Sequence, residues 1–287
     1  MVGALMTTSY EHARTLLSLG RAEEALETLA DAPEVDEPEW WRAHASALLV
    51  LDRYEDAARS ALEGLECAPE HPYLLDALAA ARLGLEDLAG AEEAILAALR
   101  VDAEDPDLLT RYAHVVATAR QLDKAEKLVV RALAIDPENT FALHMHALIA
   151  TARDDPREAI ARSRELLRHV PESAFGHAIL GTVHSQEGDV DDAADHLRRA
   201  VVLDPYDDDV ADAARKARVA SHWLLWPLRP LNKFGAAPVW IAAVALIYSL
   251  RAMKMRTAAG VLGLVWLTYC VYSWVVPPLV RRLTRRT

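Results

Sequence analysis

The stretch AFGHAILGTVHSQEGDVDDAADHLRRAVVLDP, residues 174–205, holds one complete copy of a unit that repeats along the chain. An apolar first helix is predicted before the turn at Gly188-Asp189. A second helix is predicted to end at Asp204-Pro205, because proline forbids its continuation. The small residues Gly181 and Ala193 fall where two such helices must approach closely. The stretch therefore predicts a helical hairpin.

The register of this hairpin recurs every 34 residues from about Pro38 to Pro205. Each second helix carries an alanine at the same place, at Ala57, Ala91, Ala125, Ala159 and Ala193. Twelve residues later lies the helix stop, at Pro69, Ala103, Pro137, Pro171 and Pro205. A fixed period of this length indicates one unit copied in tandem, none of which buries its apolar face alone. The pattern predicts a solenoid with a concave surface, and so a binding protein rather than a catalyst.

This pattern resembles the tetratricopeptide repeat family over about residues 6–207, in about six copies. Repeat six fits nearly throughout, whereas Ala103 in repeat three and Pro156 and His146 in repeat five depart from the family pattern. The resemblance implies an all-α fold, a solenoid of helical hairpins. Thr8-Ser9-Tyr10-Glu11 is typical of a capping box that starts the first helix. A helix over 208–220, with acids first and bases last, is predicted to cap the other end.

Charge divides the chain into two parts. Up to Asp212 there are 19 basic and 43 acidic residues, and from Ala213 onward there are 12 basic and no acidic ones. The acidic part repels nucleic acid backbones, so no nucleic acid partner is expected. Cys67 and Cys270 are too far apart to form a disulfide framework, which suits a reducing compartment.

Two uncharged segments near the C-terminus, 234–250 and 258–280, predict a transmembrane hairpin. For the longer segment the alternative is a buried core helix, which would need a surrounding domain. For the shorter segment the alternative is a helix that lies flat at the membrane–water interface, which would need a charged face. The Trp-rich linker 221–233 resembles a membrane-surface segment; its alternative is a linker that packs on the terminal helix.

The distribution of positive charge predicts the orientation of this hairpin. Nine cations flank the side that holds the repeats and the basic tail 281–287, against three in the loop 251–257. The positive-inside rule then places repeats and tail in the cytoplasm, and no signal peptide is recognised at the N-terminus. An Ala- and Arg-rich composition suggests a bacterial source, and hence a bacterial inner (cytoplasmic) membrane.

Motifs for chemistry are missing from the sequence, which contains no Gly-rich phosphate loop, His-Glu-x-x-His pair or nucleophile elbow. His177 and His184 share a helix face, at positions where the resemblance implies packing aromatics, so packing is favoured over metal binding. We therefore expect no enzyme, no cofactor, no metal site and no small-molecule substrate.

The resemblance implies a peptide-binding groove along the first helices of the repeats. Carried onto this sequence, the groove positions give a candidate set: Arg42, Tyr73, Arg111, His114, Phe141, His144 and Phe175. Three of these are aromatics at one repeat position, which suits a stripe that takes peptide side chains. The alternative is that they only pack against the neighbouring repeat.

The arrangement of repeats, Trp-rich linker and two apolar segments is similar to that of bacterial membrane-anchored tetratricopeptide repeat proteins of unknown function. The sequence thus predicts a membrane-anchored scaffold whose groove recruits partner proteins or peptides at the cytoplasmic face of a bilayer. The alternative is a structural subunit of an envelope or secretion assembly, in which the membrane hairpin makes the specific contacts.

Overall fold

The computed structural model describes residues 8–31, 37–205, 207–228, 236–252 and 255–284, and within these ranges all regular secondary structure is helical. The chain divides into two compact units, Met1–Asp155 and Pro156–Thr287. The division falls in the turn of the fifth repeat. An all-helical solenoid of the predicted type is confirmed.

The first unit consists of helices that pack as antiparallel pairs. Its helices are α1 (Ser9–Ser18), α2 (Ala22–Asp31), α3 (Pro38–Val50), α4 (Tyr54–Cys67), α5 (Pro72–Gly84), α6 (Leu88–Val101), α7 (Pro106–Thr118), α8 (Leu122–Ile135) and α9 (Thr140–Ala152). Consecutive helices contact each other, and first helices also contact the first helix of the next repeat. The Glu11 side chain accepts a hydrogen bond from the Thr8 backbone N–H, at 3.1 Å, as the predicted capping box requires.

The repeat register is visible in the core of this unit. Ala57, Ala91 and Ala125 are completely buried at equivalent places on α4, α6 and α8. Alanine there allows two helix backbones to approach, while Leu74 and Leu108 fill the space between repeats. The period therefore reflects a packing requirement that each copy repeats.

The turn inside each hairpin places one residue in the left-handed backbone region. These residues also follow the 34-residue period, at Asp52, Glu86, Arg120, Asp154 and Gly188, with φ between 55° and 82°. Only the last is a glycine, which adopts this conformation without steric cost. Aspartate at positions 52 and 154 also tolerates this conformation, whereas Glu86 and Arg120 carry side chains that give no turn signal in the sequence.

The second unit contains the remaining helices and the apolar segments. Its elements are α10 (Pro156–His169), α11 (Ala174–Glu187), α12 (Val190–Leu203), α13 (Asp208–Ala220), a 3-10 turn (Trp223–Leu228), α14 (Ala236–Ala252) and α15 (Arg256–Thr284). A Cβ on Gly181 would lie 2.5 Å from the Leu197 side chain, so α11 and α12 meet as closely as predicted. Helix α13 covers α12, where Ala217 packs near Leu197.

Histidines pack between α11 and α12. His177 and His184 are both buried, as a packing role requires. The sequence analysis missed His196, whose ring stacks on His184 and whose Nδ1 lies 2.9 Å from Nδ1 of His177. Burial lowers the pKa of both His177 and His196. Burial therefore favours the neutral imidazole at these two positions.

The two apolar helices α14 and α15 pack on each other, with the rings of Trp240 and Trp266 6.0 Å apart. Within the described residues one segment, Gly260–Val280, is long and apolar enough to cross a membrane, whereas α14 is shorter. Helix α14 continues to Ala252 and α15 begins at Arg256, so each helix extends slightly beyond its uncharged segment.

Candidate peptide-binding surface

Helices α3, α5 and α7 each begin with proline in the first turn, at Pro38, Pro72 and Pro106. Because the starts are equivalent, positions a fixed number of residues later lie on the same face of each helix. This face borders a cavity of about 960 Å³ in the first unit. Four predicted groove residues line it: Arg42, Tyr73, Arg111 and Phe141.

Arg42 is held in place on α3. Its Nε donates to Glu39 at 2.6 Å, and its guanidinium carbon lies 5.9 Å from the centre of the Tyr73 ring. Glu39 also contacts Nε2 of His71 at 3.2 Å. Burial works against ionisation of Glu39, but Arg42 and His71 outweigh it and keep the pKa of Glu39 below its usual value. The guanidinium is thus positioned between an acid and an aromatic face.

Arg111 repeats this arrangement on α7. Its Nε donates to Asp76 at 2.9 Å, and its guanidinium carbon lies 4.9 Å from the centre of the Phe141 ring. Both partners come from other helices, Asp76 from α5 and Phe141 from α9. The surface therefore presents two arginines whose orientations are fixed before any ligand binds, which reduces the entropy cost of binding.

The aromatic at the second helix position also braces the next repeat. The Tyr73 hydroxyl donates to Asp105 at 2.7 Å, and this hydrogen bond raises the pKa of Tyr73 to about 12. Asn139 donates to Asp107 in the same relation, also at 2.7 Å. In each pair, one partner is the second residue of the first helix of a repeat. The other is the N-cap residue of the first helix of the next repeat, 32 residues later. The Glu39–His71 contact is the third example.

These braces were missed by the sequence analysis, although the signal was present as polar residues recurring 32 apart. They also support part of the alternative interpretation, in which the aromatics pack against the neighbouring repeat, because the Tyr73 hydroxyl bonds to that repeat. The Tyr73 ring is nevertheless 41% exposed and remains on the cavity wall. The same residue thus joins two repeats and presents an aromatic face.

Two predicted histidines differ from the arginines and aromatics. His114 lies one turn beyond Arg111 and is mostly buried, with no hydrogen-bond partner for its Nδ1 within the part of the chain that the structure describes. Burial, and then the charge of Arg111, lower the pKa of His114 to about 4. Nδ1 of His144 donates to the Thr140 carbonyl of its own helix at 2.7 Å. Neither is among the residues that line the cavity.

Phe175 belongs to α11 of the second unit and is partly buried. The first unit's cavity is complete without it, so its role in a groove stays a prediction. The cavity walls carry mixed charge, with acids and bases alternating along the first helices; the charged members are Glu11, Arg14, Glu39, Arg42, Asp76, Asp107 and Arg111. Such a surface offers donors, acceptors and aromatic faces to an extended peptide.

Residues 10–72 and 144–208 match a family model described as tetratricopeptide repeat. The match identifies tetratricopeptide repeats in these two segments of the chain. The matched segments include α3, which carries Arg42, and α11, which carries Phe175. No curated protein has a matching sequence.

Solved structures share the fold at low sequence identity. The Cut9–Hcn1 hetero-tetramer of the APC/C matches with a TM-score of 0.64 and 16% identity, over 75% of this chain and 43% of that chain. PilW, a widely conserved type IV pilus biogenesis factor, matches with a TM-score of 0.58 and 16% identity, over 71% of this chain and 96% of that chain. PilF of Pseudomonas aeruginosa matches with a TM-score of 0.54 and 13% identity, over 74% of this chain and 96% of that chain. At these identities the likeness shows the fold alone.

Proposed function

We propose that this tetratricopeptide repeat protein is a membrane-anchored scaffold that recruits partner proteins at the cytoplasmic face of a bacterial inner membrane. The observation that carries the proposal is the pairing of two pinned arginines with two aromatic rings on one concave surface. Anchoring raises the local concentration of the binding surface without adding contacts. The proposal includes no catalytic step, no cofactor, and no nucleic acid or small-molecule substrate.

The surface supports binding of an extended peptide. Tetratricopeptide repeat proteins bind other proteins or peptides, and here Arg42 and Arg111 lie two repeats apart along the same face. Each guanidinium keeps donors that its acid partner does not use, since arginine offers five. Peptide carbonyls and carboxylates suit these donors, while Tyr73 and Phe141 suit apolar side chains.

The apolar helices support the membrane part of the proposal. Trp274 is 87% exposed and Leu264 is 68% exposed on α15, and apolar side chains are similarly exposed on α14. Such surface is costly in water and favourable in lipid. We include both helices as spans of a hairpin, because basic residues flank their outer ends and the positive-inside rule then gives one orientation for repeats and tail.

The groove is tested by the triple variant Tyr73→Ala, Phe141→Ala and Phe175→Ala. Photo-crosslinking in membranes, followed by mass spectrometry, should show loss of the partners captured by the unmodified chain, while circular dichroism shows the same helix content. The matched control is Leu96→Ala, because Leu96 is 40% exposed, on a second helix. Equal capture by the triple variant and the control would exclude the groove as the binding surface.

A second candidate function is a structural subunit of an envelope or secretion assembly, with the hairpin making the specific contacts. Gly260 and Gly263 favour it, because a Cβ on either would meet no atom of the described residues within 4 Å, which leaves room for a partner helix. Replacing the hairpin with an unrelated membrane anchor separates the two functions. The scaffold keeps its partners after this exchange, whereas the structural subunit loses them.

A further inference from the structure

We infer that the Trp turn, the 3-10 segment Trp223–Leu228, is embedded in the lipid of the cytoplasmic leaflet as a third membrane-inserted element. This inference rests on the proposed membrane anchoring. It goes beyond that proposal, which needs only α14 and α15. It also changes the role expected of the linker from its sequence, which was to lie along the membrane surface.

The Trp turn is fastened to the middle of the candidate span. The Tyr269 hydroxyl donates to the Pro227 carbonyl at 2.9 Å, and the Tyr272 hydroxyl donates to the Leu224 carbonyl. Both tyrosines lie near the centre of Gly260–Val280. At 1.5 Å per residue, Tyr272 lies roughly 12 Å along the helix from Val280. The turn therefore docks well inside the apolar segment.

The two hydrogen bonds have a clear role in lipid. A backbone carbonyl in water binds water, but in hydrocarbon it needs a protein donor or costs several kcal/mol. Tyrosine supplies such a donor at the end of an otherwise apolar ring. Pro227 also has no backbone N–H, which removes one donor that would need a partner. The carbonyls of Leu224 and Pro227 are thus satisfied without water.

The outer side of the Trp turn is apolar and exposed. Its sequence, WLLWPL, contains no polar side chain apart from the two indole N–H groups. Trp223 is 75% exposed and Trp226 is 66% exposed. Pro227 and α15 border an open apolar groove of about 350 Å³, which has the chemistry to take a lipid acyl chain.

Charge on either side of the Trp turn favours lipid over a second copy of the chain. Lys216 and Arg218 precede it on α13, Arg229 and Lys233 follow it in sequence, and no acidic residue occurs after Asp212. Two copies meeting at this surface would bring like charges together. Anionic phospholipid headgroups complement the same charges. The observations therefore favour a phospholipid leaflet as the occupant.

The test uses spin labels on the full chain in vesicles of zwitterionic and anionic phosphatidyl lipids, in a Cys67→Ser, Cys270→Ala background. The reporter is Trp226→Cys. Val202→Cys on α12, where Val202 is 75% exposed, is the aqueous control, and Leu264→Cys is the lipid control. Electron paramagnetic resonance compares collision with oxygen, which concentrates in lipid, against collision with a water-soluble nickel chelate.

The expected result is that the label at 226 collides with oxygen as the label at 264 does. A label at 226 that behaves like the one at 202, while 264 remains in lipid, overturns the inference and leaves the membrane anchor intact. Access of the nickel chelate to all three overturns the proposed anchor itself. A label at 226 that neither oxygen nor the nickel chelate reaches, and whose spectrum shows spin–spin broadening, indicates contact with a second copy of the chain. That result also overturns the inference.

The hydroxyl groups are tested separately by Tyr269→Phe combined with Tyr272→Phe. Leaving both carbonyls without a donor in hydrocarbon should raise the population of the turn outside the leaflet by about a hundredfold or more, seen as increased nickel access at 226. Tyr248→Phe is the matched control, because Tyr248 is 68% exposed on α14. Unchanged access in the double variant would show that the tyrosines do not hold the turn in lipid.

Discussion

Helices α9 and α14 are both short and apolar, yet their surroundings differ. Seven residues of α9 are buried, including Leu143 and Ile149, because α7 and α8 cover it. Of the side chains described on α14, none is buried. Apolar composition therefore does not by itself identify a core helix or a membrane helix.

The neighbours of each helix make the difference. Repeat packing gives α9 a protein environment on several sides, whereas α14 packs on α15 and presents the rest of its surface outward. An outward apolar surface of this length is stable where water is absent. The contrast supports our proposal that the solenoid lies in water and the C-terminal helices in lipid.

The largest difference in stability is expected when a leucine is replaced by alanine on α9 and, in a second variant, on α14. Leu143→Ala should lower the free energy of unfolding of the first unit by about 3 kcal/mol, because Leu143 is only 2% exposed and its removal leaves a cavity. Leu246→Ala on α14 should change it by less than about 0.5 kcal/mol, because Leu246 is 52% exposed. Urea unfolding in detergent, followed by circular dichroism, measures both. Equal losses would remove the contrast.

A smaller effect is expected from acid, and it should arise outside the apolar helices because no histidine or acidic residue follows His222. The pKa of His114 is about 4 in the folded chain and 6.5 in the unfolded chain. Below pH 6.5 the unfolded state binds more protons, so stability falls as the pH falls. Between pH 7.5 and 5 the loss from His114 should be about 2 kcal/mol.

His114→Gln is the variant for this pH series, because glutamine does not titrate. Its unfolding free energy should fall less steeply between pH 7.5 and 5 than that of the unmodified chain. Parallel curves for the two proteins would mean that His114 is solvated in the folded state, and so that the face of α7 beyond Arg111 is not packed.

The smallest effect concerns the turns that the packed helices hold in a strained backbone conformation. Arg120 has a φ of 62°, so Arg120→Gly should raise the unfolding free energy by about 1 kcal/mol. Ala119 has a φ of −74°, and Ala119→Gly should lower it by about 0.5 kcal/mol. Thermal unfolding compares the two. Destabilisation by both substitutions would mean that the turn at 120 is not strained.

Much of the fold could be predicted because the 34-residue period records contacts that every repeat makes. Ala57 and Ala91 mark close helix approaches, and Gly181 marks one where even a methyl group does not fit. The left-handed turn residues were missed because Glu86 and Arg120 do not favour that conformation, which tertiary packing imposes.

The candidate surface was predictable at the level of which faces converge. Arg42, Tyr73, Arg111 and Phe141 were selected by repeat position, and the structure brings them onto one wall. Asp105 carried a sequence signal in its spacing of 32 residues from Tyr73, whereas the contact of Asp76 with Arg111 depends on the exact stacking of the repeats. His196 was missed for the same reason, since it meets His177 only when α11 and α12 pack.

Alkaline carbonate extraction of cells that express either the full chain or residues 1–221 tests the central contrast most directly. The account predicts that the full chain stays with the lipid pellet, while residues 1–221 remain in the supernatant, helical and cooperatively folded. A full chain released into the carbonate supernatant would contradict it.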